Sequence, residues 1–190
     1  IDVGMLAELL FEGPLVMEGD QSLLNVSFGG IVAFAQLPAG KVHSISGEGI
    51  TAAGKVDVRK GAQLKFDAPF NGEGDESTLN IATGGAISFP PLPDGSSHTA
   101  GKLINEGEME LKEEMLVELY EATGGVTTLG AGGSLVASGS DPLLFTGATL
   151  TGDGGVCKGE VKLVANAKIA PGDPTNVGSF GTLKIEGNRE

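Results

Sequence analysis

The sequence contains one cysteine, one tyrosine, no tryptophan and only twelve Lys and Arg among 190 residues. A lone cysteine cannot close a disulfide within the chain, so a disulfide scaffold is excluded. Cys157 reads as a small buried hydrophobe on a strand, with a reactive or intermolecular thiol as the alternative. Twelve basic residues against 25 Asp and Glu leave a formal charge of −13, which argues against nucleic acid and anionic membrane surfaces as partners. No run of about 18 apolar residues occurs, so no segment reads as a membrane-spanning helix. The apolar stretch from Met5 to Phe11 is too short for a signal peptide and lacks a basic flank. Because the chain begins at Ile1, we expect either a removed leader or propeptide, or a segment of a longer protein.

Glycine is abundant instead: 32 of 190 residues, against a usual share of about 7%. It follows no strict every-third-residue pattern, which excludes collagen. Placed between short runs of Val, Ile, Leu and Ala, glycine at this density marks many short strands joined by tight turns.

Self-similarity is the strongest signal. The segment Gly19-Asp20-Gln21-Ser22-Leu23-Leu24-Asn25-Val26-Ser27-Phe28-Gly29-Gly30 reappears as Gly74-Asp75-Glu76-Ser77-Thr78-Leu79-Asn80-Ile81-Ala82-Thr83-Gly84-Gly85, an offset of 74 − 19 = 55. The match runs on without a gap through Ile31–Phe34 against Ala86–Phe89, and through Leu37–Gly40 against Leu92–Gly95, to His43 against His98. Upstream, Phe11 and Pro14 meet Phe66 and Pro69 at the same offset. A second register relates Gly54-Lys55-Val56-Asp57-Val58, Gly107-Glu108-Met109-Glu110-Leu111 and Gly159-Glu160-Val161-Lys162-Leu163, at offsets of 53 and 52. These registers predict three stacked units, roughly 11–65, 66–118 and 119–190, within one domain or segment.

Within one unit, alternation of apolar with small or polar residues predicts strands at Leu23–Ser27, Ile31–Phe34, Val42–Ile45, Lys55–Val58 and Gln63–Phe66. Five or six strands per unit divide into two coils of about 26 residues with three short strands each. The predicted fold is therefore all-β, a parallel β-helix (β-solenoid) of about 6–7 coils. The segment from Glu106 to Glu121 has helical spacings, but alignment of Met109 and Leu111 with Val56 and Val58 favours strand.

The closing phrase Ile169-Ala170-Pro171-Gly172-Asp173, followed by Gly181-Thr182-Leu183-Lys184-Ile185-Glu186-Gly187-Asn188, resembles the coil-closing phrase of bacterial autotransporter passenger domains and related surface β-helices. Gly84-Gly85-Ala86-Ile87 is similar to the GGAI signature of chlamydial-type polymorphic membrane protein repeats, although their companion Phe-x-x-Asn motif is absent. The resemblance implies a secreted or surface-displayed module serving adhesion, aggregation or display, and only sometimes catalysis.

Few residues suggest chemistry. His43 and His98 are repeat equivalents that stacked coils would bring into one column, yet duplication alone explains the pair. The acidic turns at Asp20, Glu73, Asp75, Asp153 and Asp173 could offer oxygens to a weakly bound Ca²⁺, although Asp and Gly are routine turn residues and no intact calcium-loop motif occurs. Asn25 and Asn80 are candidates for an internal asparagine ladder, and Asn25-Val26-Ser27 is also a glycosylation sequon. A glycan-cleaving enzyme needs paired carboxylates, or Ca²⁺ beside a basic residue. Here Arg59 is one of two arginines, its neighbour Lys60 aligns with Glu113, and Tyr120 is the sole tyrosine for a sugar platform. No Ser/His/Asp set and no phosphate loop is supported. The expected role is an extracellular or cell-surface structural or adhesive module, not an enzyme. It would associate with itself, with surface proteins or with glycans, and would need no cofactor beyond weak calcium. The alternatives are a carbohydrate-active β-helix enzyme, a polysaccharide lyase or glycoside hydrolase, and a viral or phage fibre segment.

Overall fold

The computed structural model describes residues 1–92, 95–172 and 181–187, and every regular element among them is a β-strand. All ladders between strands are parallel, so each strand stacks on one a turn earlier, as in a β-solenoid. A partial first turn comprises β1 (Asp2–Val3) and β2 (Glu8–Phe11). The next three turns are β3 (Leu23–Val26), β4 (Ile31–Phe34) and β5 (His43–Ile45); β6 (Gly49–Ala52), β7 (Lys55–Val58) and β8 (Gln63–Phe66); and β9 (Phe70–Gly72), β10 (Thr78–Ile81) and β11 (Ala86–Phe89). Two tighter turns follow, β12 (His98–Asn105) with β13 (Glu108–Leu111), and β14 (Glu114–Thr123) with β15 (Val126–Leu129). The last full turns are β16 (Ser134–Ala137), β17 (Leu143–Thr146) and β18 (Thr149–Gly152), then β19 (Gly155–Lys158), β20 (Val161–Val164) and β21 (Lys168–Pro171), with β22 (Leu183–Glu186) opening another.

The seven full turns have three faces. Face 1 stacks β1, β3, β6, β9, the start of β12, the start of β14, β16, β19 and β22. Face 2 stacks β2, β4, β7, β10, the ends of β12 and β14, β17 and β20. Face 3 stacks β5, β8, β11, β13, β15, β18 and β21, seven strands in one sheet. Because β12 and β14 run through the corner between faces 1 and 2, those faces form a single 15-stranded sheet. The segment from Glu106 to Glu121, ambiguous between helix and strand, is β13 and most of β14.

Alternate residues face inward and stack into columns that fill the core. Val32, Val56, Leu79, Leu103 and Tyr120 form one column, and Leu24 lies opposite Ile50 in another; all are essentially inaccessible to solvent. Aromatic rings continue the stacking, with Phe11 on Phe34 at 5.5 Å and Phe66 on Phe89 at 5.1 Å between centroids. Rungs in such a ladder lie about 4.8 Å apart. A corner must therefore place backbone on backbone, and the Gly-Gly pairs serve this need. Gly84 has φ +77°, at the third position of a turn closed by Gly85 N–H to the Ala82 carbonyl at 2.7 Å. At Gly107 a Cβ would lie 2.2 Å from the Gly85 carbonyl oxygen, so no side chain fits between those rungs.

The 55-residue duplication is not two coils. It carries β3 on face 1 to β10 on face 2, β4 on face 2 to β11 on face 3, and β5 on face 3 to the start of β12 on face 1. Each step spans seven strand positions, two turns and a third, so the second copy is rotated by one face. Seven strands in 55 residues give about 24 residues per three-strand turn, matching the 25 − 2 = 23 between Asp2 and its rung partner Asn25. The second register is likewise out of phase, with β7 and β20 on face 2 and β13 on face 3.

Candidate functional site

Outward residues on face 3 are short for much of its length. Ala86 and Ser88 on β11 and Val126 and Thr128 on β15 flank Glu108 and Glu110 on β13, in register as Ala86–Glu108–Val126 and Ser88–Glu110–Thr128. Short side chains between longer neighbours leave a groove of about 910 Å³ along this face, bordered by Lys65, Lys112 and Asp153. Lys112 Nζ holds the Glu110 carboxylate at 2.9 Å, and Lys65 holds Asp67 at 2.7 Å. Glu108 is exposed and has no ion pair among the described residues. The groove thus presents carboxylates and hydroxyls in a row, a surface able to exchange hydrogen bonds with an extended polyhydroxylated chain.

A smaller cleft of about 440 Å³ lies at the edge of face 1, lined by Ser97, Glu113, Glu114, Ser134 and Lys158. Glu114 accepts from Lys158 Nζ at 2.9 Å and from Ser134 Oγ at 3.2 Å. The lysine hydrogen bond, chiefly, holds its carboxyl below the usual glutamate range. Glu113 accepts from the Leu92 N–H at 3.3 Å. These bonds tie four successive turns together.

The residues singled out in the sequence are dispersed. His43 lies on face 3 and His98 on face 1, so the two do not share a column. Each is buried beside a phenylalanine and accepts a backbone N–H through Nδ1, from Leu15 at 3.3 Å for His43 and from Phe70 at 3.1 Å for His98. His43 Nε2 also meets the Ala35 carbonyl at 2.9 Å, whereas His98 Nε2 is buried without a hydrogen-bond partner among the described residues. Burial pulls the His98 pKa down to about 4.

Asn25 and Asn80 form no ladder, because a repeat of two and a third turns sets them on faces 1 and 2. Each instead donates outward to an aspartate one rung earlier, Asn25 to Asp2 at 3.2 Å and Asn80 to Asp57 at 3.0 Å. The pairs are themselves 55 residues apart, so the duplication extends upstream to Asp2. Asn25 is part-exposed at its sequon.

Asp20, Glu73, Asp75 and Asp153 are exposed at corners, and Asp173 lies outside the described residues. Among the described residues no three His, Cys, Asp or Glu side chains are grouped to hold a metal ion. Asp153 Oδ1 accepts from the Thr182 N–H at 3.3 Å. Arg59 Nη2 bonds Glu8 at 2.6 Å, bracing the third turn against the first. Cys157 is buried between Leu135 and Ile185 in an inward column, and burial pushes its thiol up to about 12.

One feature carried no sequence signal: a polar network inside the core. Asn105 Nδ2 donates to the Val126 carbonyl and to Thr127 Oγ1, both at 3.1 Å, while its Oδ1 accepts from Gly107 N–H at 3.0 Å. The Tyr120 hydroxyl joins Thr127, and burial raises its pKa. Isolated polar residues in a strand pattern look like outward positions, and only the register shows that these point inward.

The chain matches no protein-family model, no curated protein and no solved structure.

Proposed function

We propose that this protein is a structural or adhesive solenoid module of a cell surface or extracellular assembly, meeting surface proteins, glycans or further copies of itself along its faces. The observation that carries this reading is the unbroken stacking of face 1 from Asp2 to Glu186, nine rungs in register. At about 4.8 Å per rung this is a rod about 38 Å long. Its exterior is built of repeated short strands, which suits extended contact more than a localised reaction centre. The resemblance of the closing phrase to autotransporter passengers supports surface display, and most of its described residues lie in β21 and β22. The test is to immobilise the protein and measure retention of cells and of a panel of glycans, with electron microscopy of the free protein alongside. Retention or rods are expected. A dispersed monomer that retains nothing overturns the reading.

A second reading, a carbohydrate-active enzyme, is favoured by the face 3 groove with Glu108 and Glu110 on one strand. Asp57 is on face 2 and cannot act with Glu110 on one sugar. Turnover of an acidic polysaccharide that disappears in Glu110→Ala would establish this alternative.

A further inference from the structure

We infer that the face 3 groove is a glycan-binding surface, and that its ligand is an extended chain of amino sugars lying across the rungs. The inference rests on the adhesive reading above and names the ligand class and the place where it sits. The groove crosses the outward side of β8, β11, β13, β15 and β18, five rungs of one sheet. Four intervals of about 4.8 Å make about 19 Å, so a volume of about 910 Å³ leaves a cross-section of at most about 910/19 = 48 Å². One strand in stacked sheets fills a similar section, about 4.8 by 10 Å. The groove therefore admits a single extended chain and no folded domain.

A polypeptide is poorly matched to this surface. Each of the five strands is paired on both sides, so no sheet edge is open to a peptide main chain. Only side chains face the ligand. Ala86 and Val126 flank Glu108 in one column, and Ser88 and Thr128 flank Glu110 in the other. Short apolar groups thus sit beside hydroxyls and carboxylates. A sugar ring meets both kinds, with C–H groups on its face and hydroxyls that donate and accept at its edge.

Charge selects among sugars. Glu108 and Glu110 point outward from one strand, two residues and about 6.6 Å apart. Lys112 is held by Glu110 at 2.9 Å and Lys65 by Asp67 at 2.7 Å, so both lysines bordering the groove already have acidic partners. Glu108 is exposed, with no ion pair and no side-chain hydrogen bond among the described residues, and its rung neighbours are uncharged. An uncompensated carboxylate thus stands on the middle rung, in a chain of net charge −13. Asp153 on the border adds charge of the same sign. A uronate or sulfated chain would bring like charge to this rung, and a neutral chain would leave it unpaired. A protonated amine supplies the complement.

Calorimetric titration of the whole 190-residue protein with three soluble oligosaccharides tests the assignment. They are a glucosamine oligomer at mildly acid pH, where its amines are protonated, its fully N-acetylated form, and a uronate oligomer. The glucosamine oligomer is expected to bind at least tenfold more tightly than the acetylated form, and the uronate oligomer not to bind. Glu108→Gln should weaken the glucosamine oligomer tenfold or more and erase the difference between amine and acetamide. Glu160→Gln removes the same charge from the exposed corner between β19 and β20 and should change nothing. Ser88→Tyr sets a ring on the groove floor and should abolish binding. All three side chains lie on the outer surface, so melting curves should match the parent and exclude misfolding as the cause. Equal or tighter binding of the uronate oligomer would overturn the assignment. So would glucosamine binding that survives both Glu108→Gln and Ser88→Tyr, which would leave glycan adhesion in place elsewhere on the rod. A lysine-rich peptide that binds more tightly than the glycan and is lost in Ser88→Tyr would overturn it in favour of a peptide site. If none of the three oligosaccharides binds, the assignment also falls, and the adhesive reading then depends on retention of cells.

Discussion

Replacing Asn105 by alanine removes a side chain that bridges β12, the corner at Gly107 and β15. Three hydrogen bonds are lost, and the buried Gly107 N–H loses the acceptor that Oδ1 supplied. A net worth of about 1 kcal/mol per bond gives a loss of about 3 kcal/mol, within the range for leaving a buried donor unmade. For a domain of this size each kcal/mol lowers the melting temperature by about 2–4 °C, so a fall of about 6–12 °C is expected. Urea unfolding followed by far-ultraviolet circular dichroism should show a lower midpoint at an unchanged slope. Thr127→Val adds a sharper check, because it removes one of the partners of Asn105 and the partner of the Tyr120 hydroxyl. In that background Asn105→Ala should cost less, by about 1 kcal/mol of coupling. A melting shift under 2 °C, or strictly additive costs in the double variant, would refute the account of a connected interior network.

His98 gives the protein a calculable acid sensitivity. Its folded pKa of about 4 lies below the ordinary 6.5, so above pH 6.5 it is neutral in both states and costs nothing. Between pH 6.5 and 4 the unfolded chain takes up the proton first, and stability falls by about 3 kcal/mol across that window. Urea titrations at pH 7 and pH 4 should show His98→Gln losing less stability than the parent, and equal losses would count against the assignment. For Cys157, native protein at pH 8 should react with a disulfide reagent at least a hundredfold more slowly than urea-unfolded protein, because the thiol is buried with its pKa near 12. Comparable rates would show that the rung is open. Gly107→Ala must displace the Gly85 carbonyl and should cost about 1–3 kcal/mol by overpacking, whereas the same change at Gly74, where nothing lies within 4 Å, should cost less despite its φ of +75°. Melting curves of the two variants make that comparison directly.

The strands were legible because alternation and glycine punctuation are local. The expected strands at Leu23, Ile31, Val42, Lys55 and Gln63 match β3, β4, β5, β7 and β8 to within a residue. Gly49–Ala52, β6, carries little alternation in its sequence because Ile50 is its one large apolar side chain. The corners were less legible. A strand that passes through a corner, as β12 does at Gly101, has the same alternation as one that stops there. Without the corners, the phase of the repeat could not be counted in thirds of a turn. That is why His43 and His98, and Asn25 and Asn80, were expected in common columns and are instead one face apart. The interior network was hidden for the same reason, since Asn105, Thr127 and Tyr120 become neighbours only through the short spacing of 120 − 103 = 17 between β12 and β14.

A duplication of two and a third turns has a consequence for how such a chain can grow. Copying seven strands moves every surface motif one side around the rod, so an inherited Asp–Asn pair faces a new direction while the core beneath it meets the same kinds of neighbour. Three successive copies, 21 strands, would be needed before a motif returned to its starting side. Growth by this unit therefore spreads one ancestral surface around the circumference as a spiral. Insertions of whole strands, rather than whole turns, become the steps by which gene duplication can lengthen the protein without breaking its stacking.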